Sequence, residues 1–176
     1  MAISTDFAVP RLRNSCERYL QATGIQSLLE IGLEDALSML HADLGNVQII
    51  DPVSGDLTIA VQAGFSDEFV EYFGSVDGEG SACGRAAHQV AQTVIPDVTS
   101  DPGFAPHRAI AAASGFQAVQ STPLVDSQGQ LVGVLSTHYP YPYRPSGHDL
   151  RLMRRYGELL GEAIEATLEN GAEAAS

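Results

Sequence analysis

The sequence predicts an α+β fold built on an antiparallel sheet, and three features carry that prediction. Residues Ile25 to Leu40 place apolar side chains at three- and four-residue steps, the spacing of a single stripe on a helix. Two pairs of β-rich runs are each joined by a short turn-forming segment, and a long amphipathic stretch follows Ser146. The resulting order is helix, hairpin, short helices, strand, loop, helix, hairpin, long helix, which suits a layer of helices on a sheet of neighbouring antiparallel strands.

Taken in order, residues 1–19 form an N-terminal extension, with helical character expected from Leu12 to Ala22 and a break at Thr23-Gly24. The stripe Ile25, Leu28, Leu29, Leu33, Ala36, Leu37 and Leu40 then marks a helix lying on the sheet. Strands are expected over Asn46 to Asp51 and Leu57 to Ala63, because Pro52-Val53-Ser54-Gly55-Asp56 between them supplies hairpin backbone angles. Phe69, Val70 and Phe73 give a short helix over Ser66 to Phe73; Gly74 to Gly80 reads as a flexible acidic connection. A further helix runs from about Ser81 to Val90, and a short strand covers Thr93 to Pro96.

Asp97 to Pro106, rich in Pro, Gly and Asp, is expected to be an irregular loop of the kind that covers sites, followed by an Ala-rich helix from His107 to Ser114. Gln117 to Leu124 and Leu131 to Tyr139 form the second hairpin about Asp126-Ser127-Gln128-Gly129. After the stiff turn Tyr139 to Pro145, Ser146 with Asp149 signals the start of the last helix, whose stripe is Leu150, Met153, Leu160, Ile164 and Leu168. Leu152, Tyr156, Leu159 and Ala163 extend a neighbouring face, which is expected to be available to a second helix. Residues 169–176 are an acidic, Ala-rich tail.

Composition narrows the function. A chain of 176 residues suffices for one domain with its own core. All nine basic residues are Arg, and 22 acidic residues leave a formal net charge of −13, a surface that disfavours nucleic acid and anionic membranes. Two cysteines, Cys16 and Cys83, are too few for a disulfide framework, and His41, His88 and His148 have no mutual metal-ligand spacing. Together with the lack of a signal-peptide pattern or a membrane-length apolar run, this makes a cytoplasmic chain the expectation.

Four segments resemble those of GAF domains: Gly80-Ser81-Ala82-Cys83-Gly84-Arg85-Ala86, Ile95-Pro96-Asp97-Val98, Gly115 to Leu124, and Gly129 to His138. With the flanking helices the resemblance covers about residues 20–168, and it is similar in particular to GAF domains attached to bacterial histidine kinases. The resemblance implies a PAS-related central antiparallel sheet of five or six strands with helices on both sides and long N- and C-terminal helices. It also implies a pocket on one sheet face and a homodimer through the terminal helices, here the one from Gly24 and the one ending near Leu168.

The candidate ligand-binding residues are Tyr72, Phe73, Cys83, Phe104, His107, Val119, Ser121 and His138. His107 stands eight residues before Gly115, as the pocket histidine does in phytochrome GAF domains; His138 ends a strand resembling theirs, and Val119 and Ser121 fall on matching pocket positions. The bilin-attachment cysteine of many such proteins is Pro106 here, so covalent pigment at that position is excluded and any other cofactor is left unknown.

Cys83 near a helix start could carry a lowered thiol pKa and redox chemistry, or merely pack. It matches one cysteine of the free methionine sulfoxide reductases, but the loop Asp101 to His107 lacks the second one they use. No catalytic residue is assigned. Three functions follow: a non-catalytic sensor binding a small molecule and signalling to a partner such as a histidine kinase, an interaction module with its pocket filled by Phe104, Phe116 and Tyr72, or a thiol switch at Cys83.

Overall fold

The computed structural model describes residues 8–74 and 80–174. The connection expected over Gly74 to Gly80 therefore falls largely outside the described residues. Two N-terminal helices, α1 (Ala8–Tyr19) and α2 (Ile25–Leu40), lead into the first hairpin, β1 (Leu44–Ile50) and β2 (Leu57–Ala63). Helices α3 (Asp67–Phe73) and α4 (Ala82–Gln89), strand β3 (Thr93–Ile95), a 3₁₀ turn (Ala105–His107) and helix α5 (Arg108–Ser114) follow. The second hairpin, β4 (Ala118–Val125) and β5 (Leu131–Tyr139), precedes the long helix α6 (Gly147–Ala174). Among the described residues the strands form one five-stranded sheet of order β2-β1-β5-β4-β3, antiparallel throughout.

The two hairpins are joined by β1 pairing with β5, with Asn46 opposite Ser136 and Gln48 opposite Val134. The helix stripes bury on one face of this sheet: Leu28, Leu29, Leu33 and Ala36 of α2 meet Met153, Leu160 and Ile164 of α6 over Val47, Leu124 and Leu135. Each such fully buried aliphatic side chain contributes roughly 1.5–3 kcal/mol. α6 can approach β4 this closely because it presents Gly157 and Gly161 there; a Cβ on either would collide with the Pro123 or Val125 carbonyl. The helix also runs on to Ala174, through most of the segment read as a tail.

The face of α6 expected to be available to a second helix is partly covered from within the chain. Leu152 and Tyr156 are fully buried, Leu159 and Ala163 half-buried. Tyr156 Oη donates to the Gly32 carbonyl at 2.7 Å, and its ring lies 6.5 Å from that of Tyr19 on α1. α1 itself is clasped by polar groups: the buried Ser15 Oγ donates to Asp35 Oδ2 at 2.7 Å, and Arg18 bonds both Asp35 and Glu34. A buried carboxylate is tolerable here because a hydroxyl and a guanidinium both satisfy it.

On the opposite face sit α3, α4, α5 and the Asp97–Pro106 loop, packed as a second core of Phe65, Phe69, Phe73, Phe104 and Phe116 around Ile95 and Val119. No helix among the described residues is long and apolar enough to cross a membrane.

Gly161→Ala is expected to lower unfolding free energy by roughly 1–3 kcal/mol in urea melts, because overpacking against β4 outweighs the gain of about 1 kcal/mol in helix propensity. Gly171→Ala, on the same helix with nothing near its added Cβ, is expected to stabilise by up to about 1 kcal/mol.

Candidate functional site

Successive side chains on a strand point to opposite faces, so every second residue of β1, β5 and β4 turns away from α2 and α6. Those residues are Asn46 and Gln48, Ser136 and His138, Val119 and Ser121, and all six line one cavity. Register gathers them: Asn46 lies opposite Ser136, Ser136 opposite Ser121, and His138 opposite Val119. The Ser121 and Ser136 hydroxyls bond each other at 2.7 Å.

The facing wall is aromatic. Phe69 and Phe73 come from α3, Phe104 from the loop and Phe116 from the turn after α5, where Gly115 takes φ +77° to end the helix. The first turn of α4 contributes Ser81, Ala82 and Cys83. Phe116 meets the His138 ring edge-on at 4.6 Å, and Phe65 meets it at 4.9 Å. Between these walls the cavity measures about 20 Å³, enough for a water molecule.

Among the described residues the sheet wall is polar but uncharged. Burial alone drives the His138 pKa down to about 3, so its imidazole is neutral at physiological pH. Its Nδ1, Asn46 Oδ1 and Gln48 Oε1 are buried without a hydrogen-bond partner. Such atoms cost about 1–3 kcal/mol each unless something bonds them.

Of the two readings of Cys83, a thiol activated by the helix start or a residue that merely packs, its burial favours packing. The residue is half-buried, but its Sγ turns inward beside Ser81 Oγ at 3.2 Å, and burial pushes the thiol up despite hydrogen bonds from Ser81, the Gly84 amide and Gln48. Desolvation of a thiolate outweighs a short helix's dipole. Cys16 lies exposed on α1, which packs on the other side of the sheet, so the two thiols are not partners.

At the rim, Tyr72 Oη and His107 Nδ1 are 2.9 Å apart, linking α3 to the 3₁₀ turn. His107 is 7% exposed, and desolvation, then the nearby Arg85 charge, lowers its pKa. Arg85 grips both carboxylate oxygens of Asp101, at 2.6 and 3.0 Å, and holds that acid below the usual carboxylate range. Asp101 Oδ1 in turn accepts the Phe104 amide at 2.9 Å, which fixes the loop that delivers the Phe104 ring.

Of the eight residues singled out in the sequence, Phe73, Cys83, Phe104, Val119, Ser121 and His138 line the cavity, and Tyr72 and His107 form the adjoining rim contact. Sequence reasoning missed Asn46, Gln48 and Ser136. The signal was present as polar residues two apart inside otherwise apolar strand runs. Phe69, Ser81 and Ala82 were also missed, and Phe116 was read only as a pocket filler. No group of three or more His, Cys, Asp or Glu among the described residues could hold a metal.

Because unfolded His138 titrates near 6.5 and folded His138 near 3, the unfolded chain binds the extra proton between those values. The associated stability is present above about pH 6.5 and is lost as pH falls toward 3, at up to about 1.4 kcal/mol per pH unit. Urea melts of the parent and His138→Gln across this range are expected to differ by that slope; parallel curves would place a charged or solvated imidazole here.

The geometry has counterparts among known proteins. The GAF domain family model matches residues 24–164. No curated protein matches the chain. Among solved structures, the GAF domain from a Coxiella burnetii phosphoenolpyruvate-protein phosphotransferase is 17% identical with a TM-score of 0.77, over 94% of this chain and 96% of that one. A domain of a putative two-component sensor histidine kinase from Sinorhizobium meliloti is 16% identical with a TM-score of 0.71, over 88% and 99%. The free methionine-R-sulfoxide reductase from Neisseria meningitidis, solved with its substrate, is 17% identical with a TM-score of 0.70, over 97% of each chain. The matched span takes in both hairpins, the pocket and the greater part of α6, and the chain belongs to the GAF domain family.

Proposed function

We propose that this GAF domain is a non-catalytic sensory module of the cytoplasm that binds a small molecule between the sheet and α3 to α5. Occupancy shifts the arrangement of its terminal helices in a homodimer, and a signalling output such as a histidine kinase reads that shift. The observation that carries the proposal is the cavity wall itself: three buried polar atoms on Asn46, Gln48 and His138 lack partners inside an otherwise aromatic core. A pocket serving packing alone would be stabler with apolar side chains there, whereas a binding site keeps such groups for its ligand. The sensor histidine kinase domain among the similar structures supports the assignment to signalling.

The single thiol favours binding over catalysis. A sulfoxide reductase oxidises its cysteine at each turnover and needs a second thiol or an external reductant to restore it. Cys83 has no cysteine beside it and a raised pKa. One observation favours an interaction module instead, namely that the aromatic side chains leave only about 20 Å³ of space.

Native mass spectrometry of protein purified from its own organism separates these functions. The expected result is a dimer retaining a small molecule that denaturing extraction releases. Ala82→Leu, which fills the cavity, is expected to lose that mass while keeping its circular dichroism spectrum; Cys83→Ser is expected to keep both. A clean dimer without retained mass, together with a melting temperature unmoved by a metabolite panel, would establish the interaction module. Loss of a redox response in Cys83→Ser would establish the thiol switch.

A further inference from the structure

We propose that the cavity takes a small uncharged molecule that donates hydrogen bonds, with the chemistry of a primary amide, and rejects carboxylates and amidinium-type cations. This deepens the sensor function proposed above and rests on it.

Asn46, Gln48 and His138 are 4%, 3% and 5% exposed, and each turns an unpartnered polar atom into the same space. Two of those atoms, Asn46 Oδ1 and Gln48 Oε1, are carbonyl oxygens, which only a donor can satisfy. Gln48 also acts on the Cys83 thiol, and its Oε1 is the atom left without a partner. The His138 ring accepts or donates at Nδ1 according to its tautomer, so a group with both an N–H and a C=O suits the wall as a set.

Among the described residues no Asp, Glu or Arg side chain lines the cavity. At the rim the Arg85 guanidinium is already engaged by both oxygens of Asp101 and by the Gly80 carbonyl. The imidazole and the thiol on the wall are uncharged near neutral pH. An ionised ligand would be stripped of water among four phenylalanines with no counter-charge from the described lining residues, a heavy penalty, whereas an uncharged donor completes bonds that the wall lacks.

Among the described lining residues, the start of α4 is a feature that would draw an anion. Its cap is already closed, since Ser81 Oγ accepts the Gly84 amide at 3.1 Å, and the carbonyl oxygens opposite repel negative charge. A molecule of acetamide size exceeds the present space and enters with displacement of Phe73, whose ring packs on the Tyr72 and His107 rings at the rim.

Acetamide, acetate, acetamidinium and acetone share one skeleton and differ in charge and donors. Each is titrated into the full chain at concentrations that leave its circular dichroism unchanged, with the side-chain resonances of Asn46, Gln48 and His138 followed by NMR. Acetamide is expected to bind about tenfold more tightly than acetone, with the two ions leaving these resonances in place. Gln48→Met is expected to bring acetamide down to the acetone level; Asn46→Leu serves the same purpose should the first variant not fold.

Acetate or acetamidinium binding as tightly as acetamide would overturn the uncharged class while the sensor function stood. Equal affinity for acetone would overturn the donor requirement. If no probe binds but native mass spectrometry finds a retained molecule, this ligand chemistry alone is wrong; if neither binds, the sensor function falls with it.

Discussion

The register of β5 is the constraint on which the rest of the structure depends. β5 is the middle strand, paired with β1 on one side and β4 on the other, and its residues alternate between two very different environments. Leu135 and Tyr139 face the helices, while Ser136 and His138 face the aromatic pocket. A slip of one residue would drive His138 and Ser136 under α2 and α6 and put Leu135 among the ligand-facing groups. Both cores and the cavity wall would fail together, because every cross-strand neighbour of the site is set by that single alignment.

Holding polar groups in such a place requires stability from elsewhere. Three unpartnered buried atoms destabilise the fold by an amount comparable to two or three good core side chains. The opposite face supplies the compensation: α6 lies against β4 on Gly157 and Gly161, and Leu152, Met153, Tyr156, Leu160 and Ile164 are all removed from water. The glycines weaken the helix intrinsically, and close contact with the sheet outweighs that loss.

Elements whose signals are local could be read from the sequence. The stripes of α2 and α6 and the turn residues of both hairpins lie within a few positions of one another, and periodicity alone placed them. The side of the sheet to which a residue points was harder. β1, β4 and β5 are each buried on both faces, so no exposed polar side marks which way a residue points. Asn46, Gln48 and Ser136 were accordingly overlooked, while Val119, Ser121 and His138 came from the family resemblance. Ser15, Arg18 and Asp35 look like ordinary surface residues of two helices until tertiary packing brings them into one buried clasp. Cys83 makes the same point in its chemistry, since the helix-start effect is local and the burial that overrides it is not.

In the sensor proposed here, β4 is the strand best placed to connect a ligand to the terminal helices. Val119 and Ser121 stand on the cavity side, and a few residues on, the carbonyls of Pro123 and Val125 touch α6 at Gly157 and Gly161. Contacts made through backbone atoms on both sides have no side chain to rotate and absorb a shift. A ligand that presses β4 outward must therefore move α6 with it or break the interface, and a tightly packed interface favours discrete alternatives over gradual yielding. α1 follows the same helix, because the tilted rings of Tyr19 and Tyr156 meet between them and Tyr156 is bonded back to α2. The polar clasp on Asp35 lets α1 part from α2 at lower cost than an apolar seam of the same area, since its groups regain water as they separate. The physical route from pocket to terminal helices thus runs through two glycines and a tyrosine, none of which touches the ligand.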